Sequence, residues 1–242
     1  MDPTQAVLLV GVGLAPSIFW LVFYLKKDCH PEPKSLIAKT FLMGVIISPI
    51  AILLQLGFLK INFGDFKFTE NTASFFLWAA LVEELIKFYG VKLVILNNPE
   101  FDEPIDAMIY MVTAGLGFAA IENILVMFRI IPDGATATLG VWALRFMGAI
   151  LLHALSSAIL GYFLAISWFY QHHKKKLIFI GLFMATLFHF AFNSFLSTLE
   201  NQFMGLMYAT LLLIVMAFLV AILFDKVRER HAYGQQSLTG KS

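Results

Sequence analysis

Ser74-Phe75-Phe76-Leu77-Trp78-Ala79-Ala80-Leu81-Val82-Glu83-Glu84-Leu85-Ile86-Lys87 begins as a membrane span and then sets three charged residues inside it. The apolar run resumes from Phe88 to Leu96, broken only by Lys92. A charge at the centre of a membrane helix costs about 2.5–3.5 kcal/mol even on a lenient insertion scale. Three such residues between Glu83 and Lys87 are too many for a mere anchor. They predict a polar site buried among helices, and the rest of the chain supplies candidates to line it.

The composition agrees with a membrane setting. The 242 residues are 60% hydrophobic and 14% charged, and the mean hydropathy is +0.81. Soluble domains are about 45–50% apolar and about 25% charged. The 25 Phe and 10 Met suit lipid-facing and loosely packed helix surfaces. The net charge of +1 says little, since the distribution of charge matters more than the total, and nothing resembles a basic face, so no nucleic-acid partner is expected. One cysteine, Cys29, leaves no intrachain disulfide and reads as an ordinary loop thiol.

The predicted fold is an all-α polytopic membrane helix bundle of about seven spans. They are Ala6–Leu25, Leu36–Leu59, Ala73–Leu96, Ile105–Phe128, Ala137–Phe169, Leu177–Leu199 and Phe203–Phe224. A helix needs about 20 residues to cross a hydrocarbon core of about 30 Å. The fifth segment is too long, so its first part, to about Phe146, is expected to lie along the interface or bend. The connecting loops hold no soluble domain, so residues 1–242 read as one membrane domain with its polar core at about 73–199. The first segment lacks a positively charged N-terminal flank and reads as a retained helix, not a signal peptide. Asp102-Glu103-Pro104 has the signature of a helix start.

Loop charges orient the bundle. Lys26, Lys27, Lys34, Lys174, Lys175, Lys176, Lys226, Arg228 and Arg230 fall on one side, and Lys60, Lys67 and Arg129 on the other. The positive-inside rule makes the richer side cytoplasmic, which gives N-out and C-in.

The remaining polar residues of the spans gather in four segments. The third has Glu83, Glu84 and Lys87, the fourth Glu122 and Asn123, the fifth Arg145, His153, Ser156 and Ser157, and the sixth His189 and Asn193. Lys87 lies three or four residues from each glutamate, within reach of either. The glutamates themselves point about 100° apart. His189 and Asn193 share a helix face, as do His153 and Ser157. At about 1.5 Å per residue, Glu83, Glu122, His189 and Asn193 fall roughly 9–15 Å below the outer surface. His153 joins that layer if its span proper starts near Arg145. Gly115 with Ala119, Ala154 with Ala158 and Ser157 with Gly161 are small-residue pairs that let helices approach closely.

Several chemistries suit this set. A buried carboxylate can take a proton from water, and His and Asn side chains can donate to a developing oxyanion. Together these describe hydrolysis of a peptide bond. The same groups can bind zinc or relay protons in a transporter or channel. A lone buried His or Asn is more often an interhelical hydrogen-bonding group than a catalyst, and Glu122 reads also as a counter-ion for Lys87 or Arg145. The adjacent pair Glu83-Glu84 resists such a reading, because one charge is in excess. Neither an HExxH zinc motif nor a GxSxG elbow is present, so zinc is not favoured and no cofactor is expected.

In order, Glu83-Glu84-x-x-Lys87, Phe118-x-x-x-Glu122, a His in the next span (His153) and His189-x-x-x-Asn193 resemble the PrsW family of intramembrane proteases. That family is similar to the CAAX prenyl endopeptidases. The strongest likeness is Glu103-Pro104-Ile105-Asp106 followed by Gly115-Leu116-Gly117-Phe118-Ala119-Ala120-Ile121-Glu122-Asn123. The resemblance covers about Leu77 to Leu196. It implies cleavage of a membrane protein near the extracytoplasmic side, with an anti-sigma factor as one such substrate, in a prokaryotic cell membrane. It also implies roles. Glu83 is the base for water, Glu84 and Lys87 assist it, Glu122 and His153 complete the polar shell, and His189 and Asn193 hold the oxyanion. Prenyl endopeptidases have Arg at the position of Lys87 and His at that of Glu122, so Glu122 argues against prenyl-protein processing.

Overall fold

The computed structural model describes residues 3–28, 30–63, 66–67, 69–70, 72–198 and 201–239. Eight α-helices follow one another among them: α1 (Pro3–Leu25), α2 (Lys34–Leu59), α3 (Ala73–Ile95), α4 (Pro104–Ile130), α5 (Ala135–Met147), α6 (Ala149–Phe169), α7 (Lys174–Thr198) and α8 (Gln202–Thr239). The expected helix bundle is present. One small addition is an antiparallel pair between α2 and α3, β1 (Asn62–Phe63) and β2 (Phe66–Lys67), with Asn62 opposite Lys67. Cys29 and Leu199 lie outside the described residues.

Six helical stretches are long and apolar enough to cross a membrane by composition, and α3 is not one of them. Its 23 residues suffice in length. Its charges lower its hydropathy, yet Glu83, Glu84 and Lys87 are all buried. Lipid therefore never meets them, and α3 fits as the seventh span.

Helix α4 is the axis of the bundle. Every residue from Pro104 to Ala120 is buried, and α1, α2, α3 and α6 all pack on it. Small residues set these distances. A Cβ added at Gly161 of α6 would lie 2.7 Å from the Met108 Cα of α4, and one at Gly115 would run into Ser157. Gly44 and Gly117 bring α2 against α4 backbone in the same way. The expected small-residue pairs thus mark the α4–α6 seam. In a bilayer such packing, not water exclusion, holds helices together.

Helix ends follow local chemistry. The Thr72 hydroxyl caps α3 by accepting from the Phe75 amide at 3.3 Å. Asp106 Oδ2 accepts from the Glu103 and Asp102 amides at 2.8 and 3.1 Å, with Pro104 in the first turn of α4. That matches the start read from Asp102-Glu103-Pro104.

The long fifth segment breaks at Gly148 (φ −108°, ψ −91°), one residue past the end of α5. No residue of α5 is buried, whereas α6 is buried along most of its length. Two tryptophans tie α5 to α1: Trp142 Nε1 donates to the Val12 carbonyl at 2.9 Å, and Trp20 Nε1 to that of Phe146 at 3.0 Å. Its last turn carries Arg145 toward the centre.

At the opposite end of the bundle, the loop after α1 meets the loop before α4. His30 Nδ1 lies 2.8 Å from Glu103 Oε1, and the Tyr110 hydroxyl donates to Glu32. Burial pushes the Asp28 and Glu32 carboxyls above the usual carboxylate range. The alternating topology requires these two loops to share one side, and they do.

Candidate active site

Four helices deliver one buried polar layer. From α3 come Glu83, Glu84 and Lys87, from α6 His153 and Ser156, and from α7 His189, all buried, with the half-buried Glu122 from α4 at their edge. The adjacent glutamates divide as their 100° separation requires. Glu84 turns inward, and its Oε1 accepts from Lys87 Nζ at 2.8 Å, Ser156 Oγ at 2.9 Å and His189 Nδ1 at 2.8 Å. Lys87 therefore pairs with Glu84, not with Glu83. Its ammonium also lies 2.9 Å from His153 Nδ1 and 5.0 Å from the centre of the Phe118 ring. An ammonium has three donors, and these partners use all three, the last as a cation–π contact.

The donors fix the histidine tautomers. Lys87 can only donate, so His153 Nδ1 accepts, and His153 Nε2–H donates to Glu122 Oε2 at 2.9 Å. His153 is thus engaged at both nitrogens. Glu84 can only accept, so His189 Nδ1 carries a proton and leaves Nε2 facing the cluster. The two imidazoles meet edge to face, with ring centres 5.0 Å apart.

Glu83 differs from both other carboxylates. Its Oε1 accepts from Gln55 Nε2 of α2 at 2.8 Å. Its Oε2, like Glu84 Oε2, has no hydrogen-bond partner among the described residues. It lies 3.6 Å from His189 Nε2 and 4.0 Å from His153 Nδ1. Glu84 has Lys87, and Glu122 has Arg145 Nη2 at 3.9 Å. Glu83 has no Lys or Arg within ion-pair distance among the described residues, so with neutral histidines it carries the excess negative charge of the layer. Glu122 reaches Arg145 and not Lys87, which settles its counter-ion. Arg145 Nε donates to Asn123 Oδ1 at 3.0 Å, and Asn123 Nδ2 to the Gly13 carbonyl at 2.8 Å.

Asn193 stands apart. It is half-buried, one turn beyond His189, and makes no hydrogen bond among the described residues. Five of the seven candidates thus join one hydrogen-bonded network, Glu83 lies beside it with Oε2 3.6 Å from His189 Nε2, and Asn193 is outside it. Gln55 was not legible as a site residue. Its only signal was a lone amide in the otherwise apolar Ile52-Leu53-Leu54-Gln55-Leu56.

Residues 32–223 match the family model described as PrsW family intramembrane metalloprotease. The chain belongs to the PrsW family. It is 28% identical over 201 residues to Protease PrsW of Geobacillus kaustophilus, covering 82% of this chain and 84% of that one. Against Protease PrsW of Bacillus subtilis it is 28% identical over 195 residues, 80% and 84% of the two chains. Against that of Clostridioides difficile it is 28% identical over 226 residues, 92% and 90%. No solved structure matches. This PrsW-family protein is an intramembrane protease, integral to the cell membrane, and its substrate is a membrane protein.

The family description names a metal. Glu83, His153 and His189 are buried and offer one ligand atom each within 4.8 Å of the others. Two histidines and a glutamate form the ligand set of some catalytic zinc sites. The arrangement does not complete it. A ring nitrogen has one in-plane lone pair, and Lys87 takes that of His153 Nδ1 while Nε2 binds Glu122. An ion at roughly 2.0–2.1 Å from Nδ1 would sit where the ammonium sits. As arranged, two ligands are free, Glu83 Oε2 and His189 Nε2, and a cation already occupies the third position.

Proposed function

We propose that this protease is of glutamate type. It hydrolyses a peptide bond of a membrane protein near the extracytoplasmic side, with Glu83 as the base. The observation that carries the reading is the contrast in charge at Glu83: it is a buried carboxylate held at Oε1 by an amide and, unlike Glu84 and Glu122, it has no Lys or Arg within ion-pair distance among the described residues. A carboxylate so placed accepts a proton from water as the oxygen attacks the carbonyl carbon. Glu83 then gives that proton to the leaving nitrogen as the C–N bond breaks.

The other residues hold and balance charge. Glu84 fixes the tautomer and orientation of His189, and the free amide of Asn193, one turn along the same helix, donates to the oxyanion. Lys87 and Glu122 clamp His153 from both sides. A cleft of about 500 Å³ lined by Arg145, Gly148, Phe192 and Leu213 runs between α5, α6, α7 and α8 and is suited to admit a substrate segment from the lipid. A membrane-anchored anti-sigma factor is the substrate that the family resemblance suggests.

The decisive experiment compares membrane proteomes of cells carrying wild-type protein and Glu83→Ala. The expected result is loss of a cleaved fragment, which also names the substrate. Identical fragment sets would refute the reading. The mechanism uses no metal, so purified enzyme is expected to keep its activity after chelation. A stoichiometric ion whose removal stops cleavage, and whose return restores it, would overturn that.

A further inference from the structure

Gln55 lies on α2, outside every motif that carries the family resemblance, yet it touches the proposed base. Its Nε2 is 2.8 Å from Glu83 Oε1. An amide in a membrane span is costly unless paired, and this one is paired with the one carboxylate of the layer that has no Lys or Arg within ion-pair distance among the described residues. Neighbouring contacts fix the distance between the two helices. Trp78 Nε1 of α3 reaches the Leu54 carbonyl at 3.4 Å, and the Trp78 and Phe58 rings stack with centres 5.0 Å apart.

From this geometry we infer that Gln55 is a positioning residue for Glu83. With Oε1 bonded to the amide, the unbonded Oε2 is the oxygen better placed to take a proton from water. With the carboxylate rotation fixed, Oε2 stays on the side of His189 Nε2, 3.6 Å away. Without the amide, no other hydrogen bond among the described residues holds the Glu83 side chain. Gln55 thereby decides which carboxylate oxygen does the chemistry. The inference rests on Glu83 being the base.

The test measures kcat, KM and membrane abundance on full-length enzyme in liposomes. The probe is the fragment-yielding transmembrane segment from the proteome comparison, synthesised with a fluorophore and quencher. Gln55→Met keeps the volume and removes the donor. It is expected to lower kcat about 10- to 100-fold, the scale of a hydrogen bond to a charged group, with KM and abundance unchanged. In a Glu83→Asp background the carboxylate is withdrawn by one methylene and the amide no longer reaches it. There Gln55→Met is expected to change kcat less than about threefold, because residues acting as a unit are not additive. Wild-type kcat in Gln55→Met, or the same factor in both backgrounds, would overturn the inference. Should Gln55→Met not accumulate, Gln55→Glu serves: it is isosteric, sets a second carboxylate against Glu83, and is expected to lower kcat at least as much. Glu83→Gln separates the two readings. Full activity there refutes the base itself, whereas its loss together with wild-type kcat in Gln55→Met removes only the role of Gln55.

Discussion

Glu83→Gln is expected to abolish cleavage while leaving the protein in the membrane at its normal level. A positioned general base contributes about 10²–10⁴ in rate, so turnover should fall by at least that lower bound. The fold should survive because the replacement is isosteric and its surroundings tolerate it. The new amide oxygen can still accept from Gln55 Nε2, as Glu83 Oε1 does at 2.8 Å. The new amide nitrogen would face the free Nε2 of His189, an acceptor at 3.6 Å from the present oxygen. The substitution also removes the one negative charge in the layer that no Lys or Arg offsets. Stability should therefore hold or rise while the capacity to accept a proton disappears. Turnover and abundance measured on one preparation check this. Wild-type turnover in well-folded Glu83→Gln protein would remove Glu83 from the role of base.

Much of this site was legible because charge inside an apolar run is a rare and costly signal. Glu83, Glu84, Glu122, His153 and His189 stood out against spans of Leu, Phe and Ala, and the matching depths of Glu83, Glu122 and His189 pointed to one layer, which His153 joins because α6 starts at Ala149. The break in the fifth segment was readable from excess length alone, and Gly148 supplies the point where it occurs. Partner choice was not legible. Lys87 lies within a turn of both glutamates, and only the positions of α6 and α7 decide that Glu84 faces Lys87, Ser156 and His189. The same limit applied to Glu122, whose counter-ion is Arg145 of α5. Gln55 was silent because its partner sits on another helix, and a single Gln in a span carries no pattern. Asn193 shares a helix face with His189 by its spacing, but spacing could not reveal that it lies outside the hydrogen-bonded network.

Lys87→Met should give the largest loss of stability among these residues. The Lys87 ammonium is fully buried and joins Glu84, His153 and the Phe118 ring. Removing it strands the Glu84 carboxylate, also fully buried, with only Ser156 and His189 as donors. Breaking a buried ion pair from one side typically costs about 3–5 kcal/mol, because the remaining charge has no counter-ion. Removing both charges avoids that penalty. Glu84→Gln combined with Lys87→Met should therefore recover most of the lost abundance and thermal resistance. Turnover should stay low in the double variant, since His189 would lose the carboxylate that sets its tautomer and His153 the donor at Nδ1. The pattern separates stability from chemistry: one substitution unfolds, two refold, and neither cleaves well. Thermal unfolding and cleavage followed on the same purified proteins provide the check. A Lys87→Met protein as stable as wild type would show that Glu84 holds its charge without the ammonium, and the account of the pair as the centre of the layer would fail.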